Sequence, residues 1–133
     1  MIVVDTSVLI DFLRGKSTKK ALIFRRIEEK GIPFSIPLMC AQELLQGARD
    51  GKDYNSLRSY LITQDLLIPK DPVTTHFEAA RIYFDCRRKG ITPRSTIDCI
   101  IVQLVIENNG ELLHSDKDFE EIAVVRKFLR VES

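Results

Sequence analysis

Histidine and cysteine are scarce in these 133 residues, with two of the first and three of the second. Cys40, Cys86 and Cys99 make no C-x-x-C pair and sit in apolar or helical surroundings, so no zinc spacing is present and reduced, packing thiols are expected. Charge of one sign is missing too. A formal net charge of +1 gives no overall field for nucleic acid, and any such binding must come from local patches. Long apolar runs are also absent. The most apolar helix expected, Ile97 to Ile106, is too short to span a bilayer and is broken by Asp98 and Gln103. No basic leader opens the chain, and Asp5 and Asp11 interrupt its first apolar stretch, so a cytoplasmic protein without membrane contact is expected. Nucleophilic triads and phosphate-cradling glycine loops are missing as well, and His76 and His114 read as structural.

What the chain does have is an ordinary globular balance, 44% hydrophobic and 29% charged, and a length that suits one domain over residues 1–133. Ile2 to Val4 reads as a buried strand. A helix capped by Thr6 or Ser7 follows, with Val8, Leu9, Phe12 and Leu13 on its apolar side and Gly15 at its end. Ser17 or Thr18 opens a second helix to about Lys30, with Ala21, Leu22, Phe24 and Ile27 inward. Ile32 to Ile36 suits a strand, Leu38 to Ala48 and Tyr54 to Ile62 suit helices, and Leu66 to Ile68 a further strand. Pro72 starts a long helix through Lys89, for which Phe77, Ala80, Tyr83 and Phe84 are the expected core face. Then come a helix from Ile97 to Asn108, a strand from Glu111 to His114, a short helix after Ser115 and an edge strand from Phe128 to Val131. Strands that alternate with helices favour an α/β fold around a mainly parallel sheet.

Four acids stand at the ends of these apolar segments or inside them: Asp5, Glu43, Asp98 and Asp116. Each has a competing structural use. Asp5 precedes a helix whose dipole favours it, although Thr6 and Ser7 already offer capping hydroxyls. Glu43 could face solvent, but Leu38, Met39, Cys40, Ala41, Leu44 and Leu45 leave its helix little outer face. Ser95-Thr96-Ile97-Asp98 fits a capping box. Either Asp116 or Asp118 could cap the helix after them, which leaves the other free. If the acids converge they need a cation. Two carboxylates ~4 Å apart repel by about 4 kcal/mol at an effective dielectric near 20, and a hard divalent ion with oxygen ligands is the natural remedy.

Asp5-Thr6-Ser7-Val8-Leu9-Ile10-Asp11 after an apolar strand and Gln42-Glu43-Leu44-Leu45-Gln46-Gly47 on a helix are the first two of four ordered motifs. Asp98 at the head of an apolar helix and Ser115-Asp116-Lys117-Asp118-Phe119 complete them. Together they resemble the PIN-domain ribonucleases, and most of all the compact VapC-type toxins of prokaryotic toxin–antitoxin pairs. The resemblance covers essentially the whole chain, with Ser115 where the family often has Thr. It implies an α/β, PIN-like three-layer sandwich with a mainly parallel central sheet flanked by helices. It also implies that Asp5, Glu43, Asp98 and Asp116 gather as catalytic metal ligands for magnesium or manganese. Asp118 then aligns with a further acid of the motif, and Thr6, Ser7 and Ser115 match its supporting polar residues. Endonucleolytic cleavage of RNA, a cognate antitoxin and a homodimer follow from the same resemblance.

An acidic pocket repels RNA, so flanking cations must hold the strand. Arg14, Lys16, Lys19 and Lys20 after the first helix are candidates, as are Arg87, Arg88, Lys89 and Arg94 before the third acid. Arg94 is favoured because it lies four residues from Asp98. The alternative is a catalytically silent PIN-fold module that acts through a protein partner. An aspartyl-phosphate phosphatase is a weaker reading, because Asp5-Thr6-Ser7 lacks a D-x-D start.

Overall fold

The computed structural model describes residues 1–131 of the chain; Glu132 and Ser133 lie outside the described residues. Its elements run β1 (Ile2–Val4), α1 (Thr6–Leu13), α2 (Lys19–Glu29), β2 (Phe34–Pro37), α3 (Leu38–Gln46) and α4 (Gly51–Leu61). They continue β3 (Leu66–Leu67), α5 (Pro72–Arg88), α6 (Thr96–Glu107), β4 (Glu111–Leu113), α7 (Lys117–Val125) and β5 (Leu129–Arg130). The strands form one sheet in the order β3-β2-β1-β4-β5, and every pairing is parallel. Helices α1 to α4 pack among themselves, as do α5 to α7. The two groups flank the sheet as the outer layers of a three-layer α/β sandwich, because a parallel sheet must be covered on both faces.

That strand order has a consequence for the site. From β1 the chain first builds outward to β2 and β3, then returns to place β4 and β5 on the other side of β1. The connections after β1 and β4 therefore diverge at their carboxyl ends and leave a crevice, the switch point where open α/β sheets bind ligands. Val4 pairs with Leu113, and the Asp5 amide donates to the Leu113 carbonyl at 3.0 Å, so the ends of the two strands lie level.

Full burial of Val3, Val4, Ile36, Leu112 and Leu113 explains why the central strands read as plain apolar runs. The turn into β4 is tight. Asn109 adopts φ 51, and a Cβ on Gly110 would stand 3.1 Å from the Met1 carbonyl oxygen and 3.3 Å from Val3 Cγ2. Only glycine lets β4 approach β1 so closely there.

Several boundaries and faces differ from the sequence expectation. β2 spans Phe34–Pro37 rather than Ile32 to Ile36, and α4 begins at Gly51, capped by Asp50, rather than at Tyr54. On α2, Ala21, Phe24 and Ile27 are buried but Leu22 is exposed. The largest difference is on α5. Its inward stripe is Thr75, Ala79, Ile82 and Cys86, whereas Phe77 is 73% exposed and Phe84 45%. Helix α5 lies against α6, where the small Cys86 faces the small Cys99 and Ala79 lines a common pocket with it. Close approach of two helices selects small residues, so the large aromatics turn outward. Only Tyr83 of the expected face packs on the core. All three cysteines are free and buried.

Candidate metal centre

The helix that follows β1 starts on Asp5 itself. Asp5, not Thr6 or Ser7, is the N-cap of α1, with extended backbone (φ −83°, ψ 158°) and a carboxylate that accepts from the Ser7 amide at 3.0 Å. Asp5 is 5% exposed and also accepts from the Ser7 hydroxyl at 2.6 Å and from Cys40 Sγ at 3.7 Å. Ser7 reaches across the crevice as well: its Oγ accepts from the Ser115 amide at 2.9 Å. One hydroxyl thus ties the carboxyl end of β1 to the loop after β4. Ser115 contributes its backbone to this link. Thr6 serves the neighbouring acid, donating to Glu43 Oε1 at 3.1 Å from the first turn of α1.

Asp98 stands in the first turn of α6, yet the capping box is not formed. Ser95 Oγ accepts from the Ile97 amide at 3.1 Å, and no described residue donates to the Asp98 carboxylate. Freed from the cap, that carboxylate faces the other acids half-buried. Asp116 is the N-cap of α7, and its Oδ1 accepts from the Asp118 amide at 3.0 Å. Asp118 is only 3% exposed. Ligand oxygens of Asp98, Asp116 and Asp118 all lie within 4.8 Å of one another. Glu43 and Asp5 stand outside this trio, but both charges are felt at Asp98.

The electrostatic result is uneven. Burial, then the charges of Asp5, Asp116, Asp118 and Glu43, push the Asp98 carboxyl up to about 7 from an ordinary 3.8. Desolvation raises Glu43, opposed by the Thr6 hydrogen bond and reinforced by the Asp5 charge. Burial and the Asp5 charge push the Cys40 thiol far upward, so it stays protonated as a donor to Asp5.

Arg94 is the countercharge. Its Nε donates to Asp118 Oδ2 at 2.9 Å and its Nη2 to Asp116 Oδ1 at 3.0 Å, and its own backbone amide faces the same Asp118 oxygen at 3.4 Å. In return the two acids raise the guanidinium pKa still further. Of the other cations, Arg14 donates to the Gly47 carbonyl at 3.4 Å, and Lys16 pairs with Asp11 at 3.9 Å.

Two contacts had no clear signal in the sequence. Cys40 faces Asp5 from the first turns of α3, which only the three-dimensional packing reveals. His114, buried at the end of β4, accepts from the Asp116 amide through Nδ1 at 3.2 Å and meets Glu120 Oε2 through Nε2 at 2.8 Å. With Nδ1 accepting, Nε2 carries the proton, and the ring orients the Asp116 loop. Its structural reading stands, but the structure it supports is the site.

The donor set is oxygen only, from carboxylates on two different elements. Such a set suits a hard divalent cation with oxygen ligands. The PIN domain family matches residues 2–125 of the chain. A VapC ribonuclease of Mycobacterium bovis is 32% identical over 124 residues, covering 92% of this chain and 92% of that protein. Ribonuclease VapC11 of Mycobacterium tuberculosis matches with the same identity and coverage. Among solved structures, a toxin–antitoxin complex from Klebsiella pneumoniae superposes with a TM-score of 0.68 at 20% identity, covering 98% of this chain and 100% of that one. FitAcB from Neisseria gonorrhoeae gives 0.67 at 18% identity, covering 92% and 93%.

Proposed function

The chain belongs to the PIN-domain family, and we propose that it is a VapC-type endoribonuclease toxin that hydrolyses RNA phosphodiester bonds with magnesium or manganese. The observation that carries the metal reading is the convergence of Asp98, Asp116 and Asp118 within 4.8 Å at the switch point of a parallel sheet. These three would hold the ion, with Asp5 and Glu43 adding charge around it. A bound divalent ion supplies the charge that lets water attack phosphorus near neutral pH and that offsets the growing negative charge on the phosphate.

The chain's own residues do the rest. Ser7 fixes the Asp5 carboxylate and the Ser115 amide in one geometry, and Thr6 fixes Glu43. Asp98, its carboxyl pushed up to about 7 by burial and the neighbouring acids, would exchange that proton for a bound cation. Arg94 lowers the repulsion between Asp116 and Asp118 from the solvent side. A catalytically silent binding module has no use for such a cluster, because gathered carboxylates lower the stability of the fold that carries them. Among the described residues, no helix is long and apolar enough to cross a membrane. A cytoplasmic setting, a homodimer and a cognate antitoxin complete the reading, the last supported by the toxin–antitoxin complex of the same fold.

The test is cleavage of single-stranded RNA by the purified chain and its Asp116→Asn variant, each with magnesium and with chelator. Cleavage by the wild type alone, and only with metal, is expected. Equal cleavage by both, or indifference to chelator, contradicts the proposal.

A further inference from the structure

Next to the acids lies a cleft of about 500 Å³ that shares Asp116 with them. Its walls bring together three cations from three separate elements: Lys20 of α2, Lys117 of α7 and Arg130 of β5. The volume falls in the roughly 300–1,000 Å³ range of ligand pockets. We propose that this cleft is a subsite for the RNA backbone beside the cut, with Lys20, Lys117 and Arg130 receiving the phosphate of a neighbouring nucleotide. The inference rests on the ribonuclease reading and adds to it the path of the strand.

Three observations support it. First, the donors are available. Lys20 uses one of its three ammonium protons on the Val131 carbonyl at 2.7 Å, and Arg130 uses one of its five donors on Glu120 Oε1 at 2.7 Å. Lys117 is exposed and makes no ion pair with a described residue. Second, Lys117 is placed against its helix. It is the first residue of α7, where the dipole favours an anion and disfavours a cation. A lysine there gives α7 nothing, whereas a phosphate at the same helix end would gain from both the ammonium and the dipole.

Third, the cleft is wired to the acids. Arg130 holds Glu120, Glu120 meets His114 Nε2, and His114 Nδ1 accepts from the Asp116 amide. A strand whose scissile phosphate lies at Asp98, Asp116 and Asp118 must continue past one edge of that cluster. Along the Asp116 edge it meets three positive side chains against one further carboxylate, Glu120, which Arg130 pairs at 2.7 Å. Arg94 is engaged with two carboxylates, Asp116 and Asp118, whereas Arg130 is engaged with one and Lys117 with none of the described residues.

The experiment measures binding of a short, labelled single-stranded RNA by fluorescence anisotropy in chelator, where no cleavage occurs, across about 50–200 mM salt. Proteins are the wild type, Lys117→Glu, the double variant Lys20→Glu/Lys117→Glu, and Lys52→Glu on α4 as a remote control. The double variant is expected to bind at least ~10-fold more weakly, and the slope of log affinity against log salt should shrink by roughly 0.7 for each phosphate that is no longer neutralised. With magnesium restored, its KM for RNA should rise more than its kcat falls. The melting temperature of each variant, measured in the same chelator buffer, separates weakened binding from failed folding. Wild-type affinity and salt slope in Lys117→Glu and the double variant, alongside normal RNA cleavage by the wild type, overturn the subsite alone. A wild type that neither binds nor cuts RNA overturns the ribonuclease reading and the subsite with it.

Discussion

Replacing Asp98 with asparagine should stabilise the metal-free protein. The native carboxyl is pushed from 3.8 up to about 7, first by burial and then by four neighbouring acids. One pKa unit corresponds to about 1.36 kcal/mol, which makes the full effect about 4 kcal/mol above neutrality. Asp98 is only half-buried, so solvent screening leaves roughly half of that, ~2 kcal/mol. For a chain of this length such a gain raises the melting temperature by roughly 7 °C. The sign depends on pH. Because the folded state holds the Asp98 proton more tightly than the unfolded chain, wild-type stability in chelator should fall as pH rises from about 4 to about 7 and then level off. An asparagine side chain carries no such proton, so the advantage of Asp98→Asn should be absent near pH 4 and complete above pH 7. The assay is thermal unfolding in chelator at both pH values, repeated with magnesium, which should raise the wild-type melting temperature and leave the variant unmoved. Equal or lower stability of the variant above pH 7 in chelator would refute the electrostatic reasoning.

Further consequences can be checked on the same protein. Ser7→Ala removes the hydroxyl shared by Asp5 and the Ser115 amide, and should cost about 1–3 kcal/mol in urea unfolding while lowering RNA cleavage. Arg94→Ala should lower the melting temperature in chelator, and the rise produced by magnesium should widen, because the ion then meets two uncompensated carboxylates. Metal binding near pH 6 should release close to one proton, falling towards none well above pH 7, as read by calorimetry in buffers of different ionisation enthalpy.

Much of the fold was legible because its strands are buried on both faces and therefore read as plain apolar runs, as Ile2 to Val4 and Leu112-Leu113 show. The α5 face was not legible. Helical periodicity finds the largest apolar residues, and here Phe77 and Phe84 point outward because the α5–α6 seam selects small side chains. Local motifs misled at two acids for a related reason. Asp5 both caps α1 and faces the site, so the two roles do not exclude each other. Ser95 and Asp98 have the spacing of a capping box, but Ser95 caps through the Ile97 amide and releases Asp98 towards the other acids. Which oxygens come within reach of one ion depends on how α6 packs against α7, which brings Asp98 to Asp116 and Asp118. That packing is not a local property of sequence. The same holds for Asp118, which its position in the motif left undecided and which the fold places with Asp98 and Asp116.

The most direct test of the account is anomalous diffraction from crystals of this chain soaked in manganese. It predicts a peak in direct contact with carboxylate oxygens of Asp98, Asp116 and Asp118. A peak held by other residues, or none at manganese concentrations that support RNA cleavage, would contradict it.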